Sequence, residues 1–295
     1  MLPAIVTGIV VAATCGAIVA ALSLSGAIAL RPEQEIRADE DAVIASRQPT
    51  LLTGATLTED QLDDPVASYT YQGETHLVSA RDVIVYSSSL KKAKNDDGTY
   101  AMPAANSVLT VTRTMVLVEE AKNQGITFSD DELSAYAQKY VGTDDFDDLA
   151  QQYDMEADDT KEQVGSAVMI TKLRDQVTNG PIGDAPETPD LPSDGNENTT
   201  SADYAHYIID LAGDEWDAEA GTWRDPNSPY ALALAGYEVT NDSASYAAAR
   251  AAYAVAVQNY AQATESRNKA WSEYTDNLLG SVDIHIGNLL TSTDS

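Results

Sequence analysis

Ser107-Val-Leu-Thr-Val-Thr-Arg-Thr-Met-Val-Leu-Val-Glu-Glu-Ala-Lys-Asn-Gln-Gly125 opens the stretch that decides the fold, and that stretch runs on to Val177. Val108, Val111, Met115, Val118 and Ala121 recur at helical spacing, which gives one apolar face. Gly125 is the expected stop, because a residue just past a helix end often turns left-handed. Ser129-Asp-Asp-Glu132 has the capping-box spacing, in which the serine accepts from a free N–H and the glutamate reaches back. The helix it opens should reach about Val141. Gly142 ends that helix, and Thr143 is expected to cap a short acidic one through Phe146, Leu149 and Tyr153. Met155 to Val177 reads as a fourth helix, carrying Val164, Val168, Met169 and Leu173, before Gly180-Pro181 closes the block.

The run VLVEEAKNQGITFSDDELSAYAQKY, followed by DDFDDLAQQYDMEADDTKEQVGSAVMITKL, resembles the N-terminal domain of the SurA/PrsA group of extracytoplasmic foldases. The shared pattern is a helix ending in E-A-x-x-x-G-I, then S-D-x-E-L, an F/L-bearing helix, and a last helix rich in Gln, Leu and Lys. Val66 to Val83 is similar to that family's opening, a short strand and a turn around Gln72-Gly73-Glu74, then a first helix capped by Ser79. The likeness covers about Val66 to Val177. It implies export, and it implies that a C-terminal helix and strand return to complete this domain, pairing Val282 to Ile286 with the Tyr69 to His76 element.

Outward from the central block, charge excludes whole classes of partner. The 295 residues hold 47 acidic and 17 basic side chains, a net charge of −30. Phosphate contacts need Lys and Arg, so nucleic-acid binding is not expected, and an anionic membrane surface would repel the chain. Residues 3–30 carry no charge and exceed the roughly 20 residues that cross a bilayer core. They read as a transmembrane helix; a signal peptide cleaved after Ala27-Ile-Ala29 is the alternative. Arg31 and Arg37 follow the span and nothing basic precedes it, which by charge alone places the bulk of the chain inside. The family resemblance implies the opposite, a cell-membrane protein with its bulk outside the cytoplasm. A basic flank ahead of Met1 would reconcile the two. Cys15, the one cysteine, lies in this segment, so no intrachain disulfide can form.

The expected organisation is an anchor or signal (1–30), an acidic spacer (31–64), a helical domain (65–178), a linker and irregular insertion (179–242), and a C-terminal helix and strand packing back on the helical domain (243–290). The fold class is mainly α: a SurA-N-like helical domain completed by a long C-terminal helix and a small β element. Pro, Asp and Asn are dense from Gly180 to Ser201, which reads as linker. Tyr204 to Asp210 reads as a strand or short helix. Gly213 to Thr240 looks irregular, with Trp216 and Trp223 suggesting a small packed excursion. From Ser243 an Ala-rich helix runs to about Leu279. Tyr246, Tyr253, Tyr260 and Tyr274 fall on one seven-residue repeat of it, and Trp271 on the register four residues later, a coiled-coil-like stripe that could also form a homodimer.

No catalytic constellation is legible, and the chain is read as no enzyme. His76, His206 and His285 are each expected in a β segment; His76 and His285 could approach, but two imidazoles make a poor metal site. The acidic runs lack the spacing of a calcium loop. No cofactor or metal is expected. Tyr204-Ala-His-Tyr-Ile-Ile209 is similar to the histidine-bearing first strand of parvulin isomerases, but the glycine-rich and aromatic segments that should follow are absent. The expected function is therefore a membrane-anchored chaperone that binds unfolded exported polypeptides without turnover. Its contacts are expected from Tyr246, Tyr253, Tyr260, Trp271, Met115, Met155 and Met169, in a cradle between the central helices and the long C-terminal helix. The alternatives are a non-enzymatic scaffold of a cell-envelope assembly and a prolyl isomerase.

Overall fold

The computed structural model describes residues 56–287. The expected transmembrane segment 3–30 and Cys15 lie outside them, and among the described residues no helix is long and apolar enough to cross a membrane. The described chain is mainly helical, with a few short strands. It forms two compact units, one holding the residues up to Gly180 and from Trp271 onward, the other Pro181–Ala270.

The first unit starts with β1 (Thr56–Leu57), a single 3-10 turn, and a hairpin of β2 (Pro65–Tyr71) and β3 (Glu74–Ser79). The stretch up to Asp64 was expected to be spacer, yet Leu57 and Leu62 are buried in the core, because two large apolar side chains five residues apart can anchor a short strand and a turn. Tyr71 faces Glu74 across a two-residue connection in which Gln72 (φ 51°) and Gly73 (φ 87°) are both left-handed. That is the turn whose twist matches a hairpin. Helices α1 (Ala80–Ser87) and α2 (Leu90–Ala93) follow, then β4 (Tyr100–Ala101), which pairs with β1. The helix capped by Ser79 stops at Ser87, where the chain turns extended at Ser88, and Ser89 caps the next one, accepting from the Lys92 N–H at 3.1 Å.

The four central helices are α3 (Ala105–Asn123), α4 (Asp130–Tyr140), α5 (Phe146–Tyr153) and α6 (Ala157–Val177). Gly125 (φ 75°) ends α3 as expected, and the Ile126 N–H returns to the Ala121 carbonyl at 2.9 Å. The capping box at α4 is present in full: Ser129 Oγ accepts from the Glu132 N–H at 3.2 Å, and the Glu132 carboxylate accepts from the Ser129 N–H at 2.8 Å. The cap of α5 is not Thr143. Asp145 takes that place, accepting from the Asp147 and Asp148 N–H groups, while Thr143 Oγ1 accepts from Asp145 one step earlier. A carboxylate suits a helix N-terminus better than a hydroxyl, because the helix dipole favours negative charge there. Leu133, Leu149, Tyr153 and Val168 pack α4, α5 and α6 into one apolar layer.

The second unit contains β5 (Thr200–Ser201), α7 (Ala202–Ala212), a hairpin of β6 (Trp216–Asp217) and β7 (Thr222–Trp223), α8 (Pro229–Ala233) and β8 (Ala244–Ser245), which pairs with β5. Helix α9 (Tyr246–Gly280) begins in this unit, and its residues from Trp271 on belong to the first. Two expectations are corrected here. The stretch 179–242 is no mere linker: Tyr204, Ile208, Trp216, Tyr230 and Leu234 form a core with Tyr246, Ala249 and Ala252 of α9. Accordingly, α9 up to Ala270 belongs to the second unit's core rather than to the helical domain. The physical reason is the run Ala248, Ala249, Ala252 and Ala256, all buried, whose small side chains let neighbouring elements approach the α9 backbone closely.

From Trp271 the chain is back in the first unit. Trp271 is 2% exposed, packed among Leu117, Ala121, Met169, Ile170 and Leu173. Strand β9 (Asp283–Ile286) then lies antiparallel to β2, with Ala67 opposite Ile286 and Tyr69 opposite Ile284. The sheet order is β3-β2-β9, so the pairing implied by the family resemblance is the one observed. Truncating a fully buried aromatic costs the transfer energy plus a cavity. Trp271→Ala should therefore lower the unfolding free energy by about 3–5 kcal/mol in urea titrations followed by circular dichroism, whereas Tyr260→Ala, outside these cores, should cost about 1 kcal/mol or less.

Candidate functional site

The residues proposed from sequence are not brought together. Tyr246 is buried in the second unit's core, and Trp271 and Met169 fill the layer between α3, α6 and the end of α9. Trp271 and Met169 are both buried in that layer, so neither offers an exposed contact there. Met155 packs beside α5 and α6. Tyr253 lines an apolar groove of the second unit, and Tyr260 is half-buried. In the first unit Met115 and Met155 face two different clefts.

The cleft that Met115 faces, of about 630 Å³, opens between β3, α1, α3 and α6. Leu77, Val85, Met115 and Val118 give it an apolar floor, and Leu77 is 39% exposed on the outer strand of the sheet. Strand β3 pairs only with β2, so its other edge keeps backbone N–H and C=O groups unpaired by any described strand. His76 stacks on Tyr69 with ring centroids 4.8 Å apart and planes 14° apart. Burial, helped by the charge of Glu119, pushes the Tyr69 hydroxyl up to about 12, so it stays a neutral wall. Gln163 of α6 closes the rear, donating to the Val85 carbonyl at 2.5 Å.

The rim is acidic. Arg81 is held by Asp63 at 2.6 Å and Lys122 lies 3.8 Å from Glu119, while Asp159 and Glu162 carry no ion pair among the described residues. An extended segment with apolar side chains and a Lys or Arg would therefore be accommodated better than an acidic one. His76 and His285 do not converge. They sit on the two outer strands with β2 between, and in adjacent cross-strand rows (His76 with Tyr69, His285 with Ser68), which puts them on opposite faces. His206 is exposed on α7 rather than in a strand. Among the described residues no His, Cys, Asp and Glu group could hold a metal ion.

One polar cluster escaped the sequence reading. The Glu120 carboxylate of α3, 9% exposed, accepts from the Tyr274 hydroxyl of α9 at 2.5 Å, and also from the Tyr71 hydroxyl of β2 and the Gln124 amide. It ties α3, β2 and α9 together on the face of β2 that Tyr71 shares with Tyr69. A glutamate on an otherwise apolar helical face was the only local signal for it.

No protein-family model matches the chain, nor does any curated protein or solved structure. The likeness of the central helices to the SurA/PrsA foldases rests on the residues quoted above.

Burial pushes the Glu120 carboxyl up, but the donations from Tyr274, Tyr71 and Gln124 outweigh it and hold the group below its usual 4.5. A carboxyl with a depressed folded-state pKa stabilises fully above its unfolded value, and that share is lost as pH falls through the folded value. Glu120→Gln should cost about 1.5–3 kcal/mol at neutral pH, the range for hydrogen bonds to a charged group. The gap between the two proteins in urea unfolding should narrow steadily below pH 4.5.

Proposed function

We propose that this chain is a membrane-anchored extracytoplasmic chaperone of SurA-like type that holds unfolded, exported polypeptides without chemical turnover, and that the cleft between β3, α1, α3 and α6 is where they bind. The observation that carries the reading is the conjunction in one place of an apolar floor (Leu77, Met115, Val118) and an open strand edge. An unfolded chain offers apolar side chains in no fixed order and a backbone that is the same everywhere. Strand addition to an edge reads only the backbone, and an apolar trough accepts many side chains, so the pair together gives sequence-tolerant binding. Met115 suits such a floor, since an unbranched thioether adapts its shape. The acidic rim adds a preference for basic segments, and a surface of net charge −30 keeps a loaded chaperone soluble. The order of capped helices around Ser129 and the returning strand β9 support the family likeness, which in turn supports an extracytoplasmic site of action.

The decisive measurement is aggregation of a chemically denatured enzyme diluted into buffer with excess of this protein. The wild type should suppress light scattering at moderate salt. Leu77→Asp combined with the milder Val118→Ser should remove most of that protection while the helical circular dichroism stays unchanged, because Leu77 is exposed and Val118 only partly buried at the edge of a core. Equal protection by the double variant would sink the assignment to this cleft. No protection by the wild type, together with co-purification of one fixed partner, would make the chain a scaffold instead.

A further inference from the structure

The second unit holds a segment whose placement points to a binding site of a different kind. Pro186, Pro189 and Pro192 recur every third residue. Pro189 and Pro192 are buried and Pro186 half-buried, while Glu187, Thr188, Asp190 and Leu191 between them are exposed. A burial period of three is that of a polyproline helix laid down on one face. The strap is held by its backbone: the Tyr207 hydroxyl donates to the Glu187 carbonyl at 2.6 Å, and the Tyr204 hydroxyl to the Asp190 carbonyl at 2.9 Å. The two tyrosines lie three apart on α7, the two carbonyls three apart on the strap, and the chains run in opposite directions. Tyr204 packs against Tyr246 at 5.6 Å, which continues the aromatic surface onto α9. There, beside Pro189, an apolar groove of about 520 Å³ stays open along Tyr246, Tyr253, Ala254 and Val257.

We infer that this tyrosine-lined surface is a recognition site for proline-rich, extended segments of other polypeptides, and that residues 186–192 occupy part of it as a tethered ligand. Spaced tyrosine hydroxyls donating to carbonyls, with prolines set against the rings, are what such a segment requires, because it has few N–H groups to satisfy and is already stiff. The strap itself has the chemistry of such a partner. Arg250 at the groove, paired with Glu197 at 2.8 Å, has further N–H groups that suit an acidic residue between prolines, as the strap itself has. This site lies in the second unit and does not depend on the chaperone reading of the first.

A tethered ligand competes at an effective concentration in the millimolar range, so the intact chain should bind a free copy only weakly. The test uses a fluorescent synthetic peptide of residues 183–194 and a control peptide with its three prolines replaced by serine. A variant chain carrying Pro186→Ser, Pro189→Ser and Pro192→Ser should bind the proline peptide at least about tenfold more tightly than the intact chain does, and should ignore the control. Adding Tyr204→Phe and Tyr207→Phe to that variant should weaken the binding again. No binding by the folded variant, or equal binding of the control, overturns the inference. Should the variant lose its helical signal, the intact chain decides. Millimolar peptide should move the nuclear magnetic resonance signals of the three strap prolines toward their free-chain positions, and unmoved signals would refute displacement. A concentration-dependent dimer of the intact chain, abolished in the variant, would give the surface to a second copy and overturn the assignment to other polypeptides.

Discussion

The hold of Glu120 on two tyrosine hydroxyls is the interaction on which the first unit's construction depends. Tyr71 ends the central strand, Tyr274 lies on the returning helix, and Glu120 belongs to the first of the central helices. A buried carboxylate must be satisfied or it is costly, and here its two tyrosine partners come from parts of the chain far from it and from each other. Trp271, one turn before Tyr274 and stacked 5.9 Å from it, fills the apolar layer beside this cluster. Polar specificity and apolar packing thus act on the same stretch of helix, and together they fix where β9 meets β2.

What this arrangement leaves open is as informative as what it closes. The end of α9 and strand β9 cover one side of β2 and the inner helices. No described strand pairs with the outer edge of β3, and the space between α1, α3 and α6 is lined but not filled. The cleft is thus the complement of the closing contacts. Its acidic rim follows from the same composition that gives the whole chain its net charge of −30.

The parts of the fold legible in sequence were those specified locally. Ser129 and Glu132 are three residues apart and need nothing else to declare a helix start, and Gly125 needs only its backbone freedom to declare a stop. The seven-residue repeat of Tyr246, Tyr253 and Tyr260 correctly gave a helix but misled about partners. Periodicity names a face, not what covers it, and the first of these residues meets α7 while Trp271 meets α3 and α6. Leu77 was missed because its role depends on being in an outer strand, which is a property of the sheet order. The second unit was the least legible. Its elements are short, the pairing of Trp216 with Trp223 spans only a hairpin, and prolines at every third position carry neither helical nor strand periodicity. Density of proline and aspartate is shared by disordered linkers and by docked straps, and only burial distinguishes them.

Strand β9 has a consequence for how the chain comes to be folded. Its partner β2 is made early and β9 late, and the entire second unit lies between them. Pairings between such distant parts of a chain form slowly, because a large loop must close before any contact rewards it. During synthesis, which proceeds from the N-terminus, the residues up to Gly180 wait with the open side of β2 uncovered while the second unit is made and gathers its own core. The three-stranded sheet is completed only when β9 arrives, so the first unit is finished after the second has had time to fold.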